Sequence, residues 1–410
     1  MRSTRREFLG LGAAAAAGLL AGCGRDLKSR RPAPARAERP FPAPIPPPIP
    51  AESYTRRRAA LAARMREKGL HLLLLTPGVS LAYLTGASPG KSDRLIAWVL
   101  EDDGSCRCIG PAGEEDRLAC SGLPGDRRSW KETEDPLHLL ARILSSRGPS
   151  PRIAAEGTLG LDILEPLARR IPAAKIASAT PLLSALRMRK EPEEIALIQA
   201  AIDITLEAIR RVMLEAEEGA TQEGMLARAA EVARACGASL EGTIRFGPGS
   251  AVPDAGPGKA RLRRSDVILL DLVAEVRGYH SDISRTFAFG GSSPRFQQIY
   301  RAVRQAQEEA FQAARPGIPA GMVDGAARSA VNRNGFGSRF THRLGHGVGL
   351  EAREEPYLAG GNDLLLESGM IVTVGPGIYF PGEFGVRLTD VVLLTATGPR
   401  VLSAPVAPPA

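Results

Sequence analysis

The chain has 410 residues, 44% hydrophobic and 24% charged, an ordinary balance for a globular protein of two or three domains. No apolar run reaches the roughly 20 residues of a membrane-spanning helix. The net charge of +8 is spread among arginines, and aromatics are only 5% with no aromatic-interleaved basic run, which argues against nucleic-acid binding.

Residues 1–23 read as a targeting segment. Thr4-Arg5-Arg6-Glu7-Phe8-Leu9 resembles a twin-arginine export signal, and Leu11–Leu20 supplies a short apolar region. Leu20-Ala21-Gly22-Cys23 then resembles a bacterial lipobox, in which Cys23 is lipidated and becomes the mature N-terminus. The alternative is a plain signal peptide with an incidental cysteine. Acyl chains on Cys23 would anchor the protein at about 0.8 kcal/mol per buried CH₂, and Gly24 after the cysteine leaves an outer-membrane address open. Residues 24–50 form a proline-rich linker, with nine prolines between Pro32 and Pro50, extended and semi-rigid.

From residue 51 the pattern becomes globular. Leu61, Met65 and Leu70 lie on an arginine-rich helix over Ala51–Lys68, and Leu72–Leu75 is a buried-strand run. Strands follow at Arg94–Leu100, Cys106–Ile109, Arg152–Ala155 and around Ile176, with helices at Pro136–Ser146 and Leu161–Arg170. This alternation predicts an α/β domain over 51–185. Cys106 and Cys108 share a strand face; a disulfide from either to Cys120 and free thiols are both open.

Helices are predicted at Glu191–Glu215, Gln222–Cys236, Pro294–Ala314 and Met322–Asn334, with strand up to Pro253 and glycine-rich loops and short strands to Leu402. Between them, Val267–Phe289 reads as a hairpin. Ile268–Leu270 is an apolar run ending on Asp271, Glu275–Gly278 is the turn, and Tyr279–Phe287 returns carrying Asp282. A bare carboxylate at the end of a buried strand costs several kcal/mol unless a cation or donors neutralise it, so the two aspartates read as half of a metal site.

These segments resemble the Xaa-Pro aminopeptidase, prolidase and creatinase group of the pita-bread metallopeptidases. The likeness rests on Ala82-Tyr83-Leu84-Thr85-Gly86, on Leu186–Ile195, and on four ordered C-terminal segments: Gly278–Thr286, Gly345–Glu351, Pro376-Gly377-Ile378-Tyr379 and Gly385-Val386-Arg387-Leu388. The resemblance implies an α/β (α+β) chain, with a creatinase-like N-terminal domain over 51–185 and a pita-bread domain over 186–404. It also implies two divalent ions held by two aspartates, one histidine and two glutamates, with two further histidines at the substrate.

Carried over by position, Asp271 and Asp282 match the aspartates and His346 the ligand histidine. The glutamate positions hold Gly375 and Thr389, and the two catalytic-histidine positions hold Asp254 and Arg353. The expected site is therefore degraded: no metal, or one weakly bound manganese, cobalt or zinc ion on Asp271, Asp282 and His346. Arg353, permanently charged, is expected to pair with Asp271, Asp282 or Asp254 in place of the metal, with Arg387 also in the pocket. Asp390, adjacent to Thr389, should face away from it. His280 has the parity to face the pocket, and His342 reads as a supporting polar residue. The leading reading is an exported lipoprotein with little or no peptidase activity, whose pocket takes a peptide or small anion. The alternative is an active Xaa-Pro aminopeptidase or prolidase using a reduced site, or one completed by Asp254, Glu351 or Glu354.

Overall fold

A computed structural model describes residues 44–90, 92–252 and 258–403. Arg5, Arg6, Cys23 and Asp254 lie outside the described residues. The chain divides into two compact units, Pro47–Glu194 and Ile195 onward.

The first unit is a six-stranded mixed sheet flanked by helices. After helix α1 (Ala51–Glu67) comes β1 (Leu72–Leu75), whose four leucines are all buried because the strand has a neighbour on each edge and packing on both faces. Helix α2 (Val79–Thr85) follows, and contains the Ala82–Thr85 segment of the sequence motif. Gly86 ends it at φ +74°, where a Cβ would meet the Tyr54 ring at 2.6 Å, so both conformation and space require glycine. Next come β2 (Ala97–Glu101), β3 (Cys106–Pro111), helix α3 (Glu115–Cys120), β4 (Asp126–Trp130), helix α4 (Pro136–Leu144), β5 (Arg152–Ala155), helix α5 (Leu161–Arg170), β6 (Lys175–Ser178) and helix α6 (Thr180–Arg187). The sheet order is β4-β3-β2-β1-β5-β6, with antiparallel pairs β1–β2 and β2–β3 and parallel pairs elsewhere. Leu72, Leu74, Val99, Ile109, Leu140, Leu144, Ile153 and Leu167 form its core. One boundary moves and one strand is added: β2 begins at Ala97 rather than Arg94, and the charged edge strand β4, four of whose five residues are exposed, carries no hydrophobic signal to announce it.

Cys106 and Cys108 are free thiols, so neither is bridged to Cys120. Burial pushes both up to about 11. Alkylation by iodoacetamide at pH 8 is therefore expected to be slow at both in the folded protein and fast only after denaturation, as read by mass spectrometry. Rapid labelling of either in the native state would contradict this environment.

The second unit begins in the first turn of helix α7 (Pro192–Leu214). Helix α8 (Gln222–Ala235) is capped by Thr221, whose side chain accepts from the Gly224 amide. Strand β7 (Ser239–Phe246) ends earlier than the sequence suggests, in a 3₁₀ turn over Gly247–Ala251. Then come β8 (Val267–Val276), β9 (Tyr279–His280) and β10 (Ile283–Ala288). Strand β8 pairs antiparallel with β7, β9 and β10. Helices α9 (Pro294–Ala313) and α10 (Ala320–Arg333) follow, the first capped by Ser293. The chain then forms β11 (Gly345–Gly347), β12 (Glu354–Leu358), β13 (Ile371–Val374), β14 (Gly377–Phe380), β15 (Phe384–Arg387), β16 (Asp390–Thr395) and β17 (Gly398–Val401). A second sheet has the order β12-β11-β13-β16-β17, and β14 pairs with β15. The mixed α/β class expected from the sequence is the class observed.

The hairpin differs in one respect. Asp271 is not at the end of β8 but in its middle, because the strand runs on through Val276. The reversal is a two-residue turn at Arg277 and Gly278, with φ of 51° and 83°, the left-handed pair that suits a tight hairpin. Glu275 Oε1 accepts from the Gly278 amide at 3.1 Å.

Candidate functional site

Register builds the site. Thr243 and Ser284 lie opposite Asp271 on the two sides of β8, and Leu272 lies opposite Ile283. Because side chains alternate along a strand, Asp271, Asp282 and Ser284 share one face. Asp282 falls in the break between β9 and β10 and is 2% exposed.

The two carboxylates have different partners. Asp271 accepts from Ser284 Oγ at 2.8 Å on one oxygen and from Arg387 Nη1 at 3.0 Å on the other. Asp282 Oδ2 lies 3.1 Å from His346 Nε2. His346 is buried on β11, and its Nδ1 lies 3.0 Å from the Gly347 carbonyl. A carbonyl only accepts, so Nδ1 donates there, and Nε2, aimed at Asp282, donates to that carboxylate when the ring carries both protons. Burial by itself would raise the Asp282 carboxyl. The hydrogen bond from His346, its charge, and the guanidiniums of Arg387 and Arg353 outweigh burial and hold it below the ordinary carboxylate range.

Arg353 is therefore not the main neutralising cation. It is exposed, and its charge is the last in order among the influences on Asp282. The guanidinium seated on Asp271 is that of Arg387, from the end of β15. Arg245, Ser250, Val252, Leu269, Asp271, Tyr379 and Arg387 line a small cleft here. Two groups around Asp271, Ser284 and Arg245, escaped the sequence reading. Ser284 was detectable, being two residues from Asp282 and hence on its face. Arg245, 5% exposed on β7, carried no signal beyond its strand.

The replaced positions meet. A Cβ on Gly375 would lie 2.4 Å from Thr389 Oγ1 and 3.1 Å from its Cγ2. Thr389 is fully buried, and its hydroxyl is 2.9 Å from Ser284 Oγ. Asp390 does face the other way, into a buried network. Its Oδ1 accepts from Arg285 Nη2 at 2.6 Å and from Ser403 Oγ at 2.7 Å, and its Oδ2 accepts from Gln307 Nε2 at 3.0 Å.

The remaining candidates fall outside the cation position. The His280 amide and Nδ1 both contact the Gly349 carbonyl, at 2.8 and 3.1 Å, so that ring holds the loop after β11. His342 Nε2 contacts the Tyr379 hydroxyl at 2.9 Å, in the supporting place expected of it. Glu354 is buried, and its Oε2 accepts from the Glu351 amide at 3.4 Å.

A two-ion centre does not fit this donor set. Of the five positions that the family pattern gives to ligands, three hold ligand-type side chains; both oxygens of Asp271 are engaged, and Thr389 Oγ1 lies 2.4 Å from where a Cβ at 375 would stand. Among the described residues no group of three or more His, Cys, Asp or Glu is placed to hold a metal ion. Neutral hydroxyl and missing side chain together leave too little anionic charge for two divalent cations.

Comparison with known proteins gives the scaffold its place. Residues 57–189 match the creatinase/prolidase N-terminal domain, and residues 196–396 match metallopeptidase family M24. The chain is 36% identical over 360 residues to a protein of Mycobacterium tuberculosis named probable dipeptidase PepE, covering 85% of this chain and 94% of that protein. Among solved structures, it resembles the dipeptidase PepE of Mycobacterium ulcerans, with a TM-score of 0.80, 34% identity, and 87% and 97% coverage of the two chains. It also resembles a prolidase from Thermococcus sibiricus, with a TM-score of 0.80, 30% identity, and 85% and 96% coverage. The creatinase-type first domain and pita-bread second domain are thus those of these relatives. This chain belongs to metallopeptidase family M24 and carries the creatinase/prolidase N-terminal domain.

Proposed function

We propose that this protein is an exported, lipid-anchored member of family M24 whose cleft has lost two-metal peptide hydrolysis and binds a peptide or small anion instead. The reading rests on the family pattern, which puts Gly375 and Thr389 at its two glutamate positions, together with the packing of these two residues against each other. Two guanidiniums, those of Arg245 and Arg387, line the cleft, which suits an anionic group better than a cation. Arg353, where the family pattern has a histidine, offers only N–H donors and no acceptor, so it cannot serve as a general base. Export and anchoring rest on Arg5, Arg6 and Cys23 in their ordered motifs.

The similarity to a named probable dipeptidase over 94% of its length favours a second reading, an active metal-dependent Xaa-Pro peptidase with a reduced site. Metal content separates the two. After saturation with manganese, cobalt or zinc and removal of free ion, the purified protein is expected to retain less than one ion per chain and to leave Xaa-Pro dipeptides intact. Two tightly held ions with chelator-sensitive turnover would sink the proposal.

A further inference from the structure

We infer that Gly375 and Thr389 form one packing unit, so that the two ligand positions are mechanically coupled and no side chain can return at 375 until 389 has changed. The inference rests on the metal-free reading above for its functional meaning, but its physical basis is independent of it.

Gly375 does not have a left-handed backbone, since it is absent from the positive-φ glycines. What excludes a side chain there is space. The blocking atoms belong to Thr389, at 2.4 Å for Oγ1, 3.1 Å for Cγ2 and 3.2 Å for Cβ. Distances below 3 Å must be relieved by movement, and Thr389 has little room to move. Its amide donates to the Ser284 carbonyl at 3.1 Å, and its own carbonyl accepts from Arg285 Nη1 at 2.8 Å. The backbone is thus held on both sides. The side chain is β-branched and stiff about χ1, and a rotation that moves the hydroxyl clear of Gly375 breaks its contact with Ser284 Oγ. Gly375 is fixed as well, its amide donating to the Leu344 carbonyl at 2.8 Å.

The contact reaches the acidic pair. Thr389 Oγ1 and Asp271 Oδ1 are both within hydrogen-bond distance of Ser284 Oγ, at 2.9 and 2.8 Å. Ser284 has one proton, so the hydroxyls order as a relay in which Thr389 donates to Ser284 and Ser284 donates to Asp271. Thr389 therefore does two things that a ligand glutamate there would not: it fills the volume over Gly375 and it directs a hydroxyl proton onto Asp271. A carboxylate at 375 has to evict that threonine and disturb the relay. The order of change is consequently constrained, with position 389 having to yield before position 375 can carry a side chain.

A double-mutant cycle on the full chain tests this. Gly375→Ala alone is expected to lower the thermal midpoint by roughly 3–10 °C through overpacking. The same change in a Thr389→Ala background, where Oγ1 and Cγ2 are gone, is expected to cost much less. Equal costs in both backgrounds overturn the proposal. Calorimetric titration with manganese is the second arm: uptake is expected in Gly375→Glu combined with Thr389→Glu, and not in Gly375→Glu alone. Equal uptake by the single and double variants also overturns it. Tight metal binding by the unaltered protein would defeat the metal-free reading while leaving the stability cycle to decide the packing unit.

Discussion

Replacing Asp390 by alanine is expected to lower the unfolding free energy by about 3–5 kcal/mol, measured by urea titration. Asp390 and Arg285 have 6% and 10% of their side-chain surface exposed and pair at 2.6 Å. Removing the carboxylate leaves a buried guanidinium whose remaining acceptors are the carbonyls of Ser284, Thr389 and Ser403; it also strips Ser403 Oγ of its acceptor and leaves Gln307 Nε2 with only the carbonyls of Val374 and Leu388. Breaking one side of such a pair costs more than the pair is worth, because the surviving charge stays buried. The double change Asp390→Leu with Arg285→Met is therefore expected to be less damaging than Asp390→Ala alone. A loss below about 1 kcal/mol for Asp390→Ala would show that Arg285 finds solvent or another anion when released.

Replacing His346 by alanine should have a comparable effect for a different reason. Asp282 is 2% exposed, and the imidazole at 3.1 Å is the hydrogen-bonding group that offsets its burial. Without it the carboxylate has only the more remote charges of Arg387 and Arg353, and the balance shifts toward the protonated acid. The expected loss is again about 3 kcal/mol at neutral pH. It should shrink in acid, because the variant's Asp282 is then protonated and no longer buries a charge. Adding Asp282→Asn to His346→Ala is expected to restore part of the stability at neutral pH. If the second change makes matters worse, Asp282 is held by something other than the histidine.

The hairpin and the identity of its aspartates were legible because apolar run, turn glycine and parity all act within 20 residues. That Asp271 sits mid-strand was missed: the apolar pattern resumes at Leu272, Val273, Ala274 and Val276, so the carboxylate interrupts the strand rather than ending it. The cation on Asp271 was misassigned for a different reason. Arg353 and Arg387 both lie in segments carrying the family pattern, and only the folded chain shows that Arg387 reaches Asp271 while Arg353 stays exposed. The Gly375–Thr389 contact was invisible too. Two substitutions fourteen residues apart look like separate losses until β13 and β16 are paired, with Val374 opposite Asp390. Asp390 was the converse case: alternation alone placed it correctly away from the cleft.

The pairing of Asp271 with Arg387 joins residues 116 positions apart, and that of Ser284 with Thr389 joins residues 105 apart. The hairpin that carries both partners closes through two residues. A lone hairpin of this size is marginal in water, so Asp271 stays solvated until the C-terminal strands pack against it. Arg387 stands at the end of β15, and the strand that packs on Asp271 therefore brings the counter-charge with it.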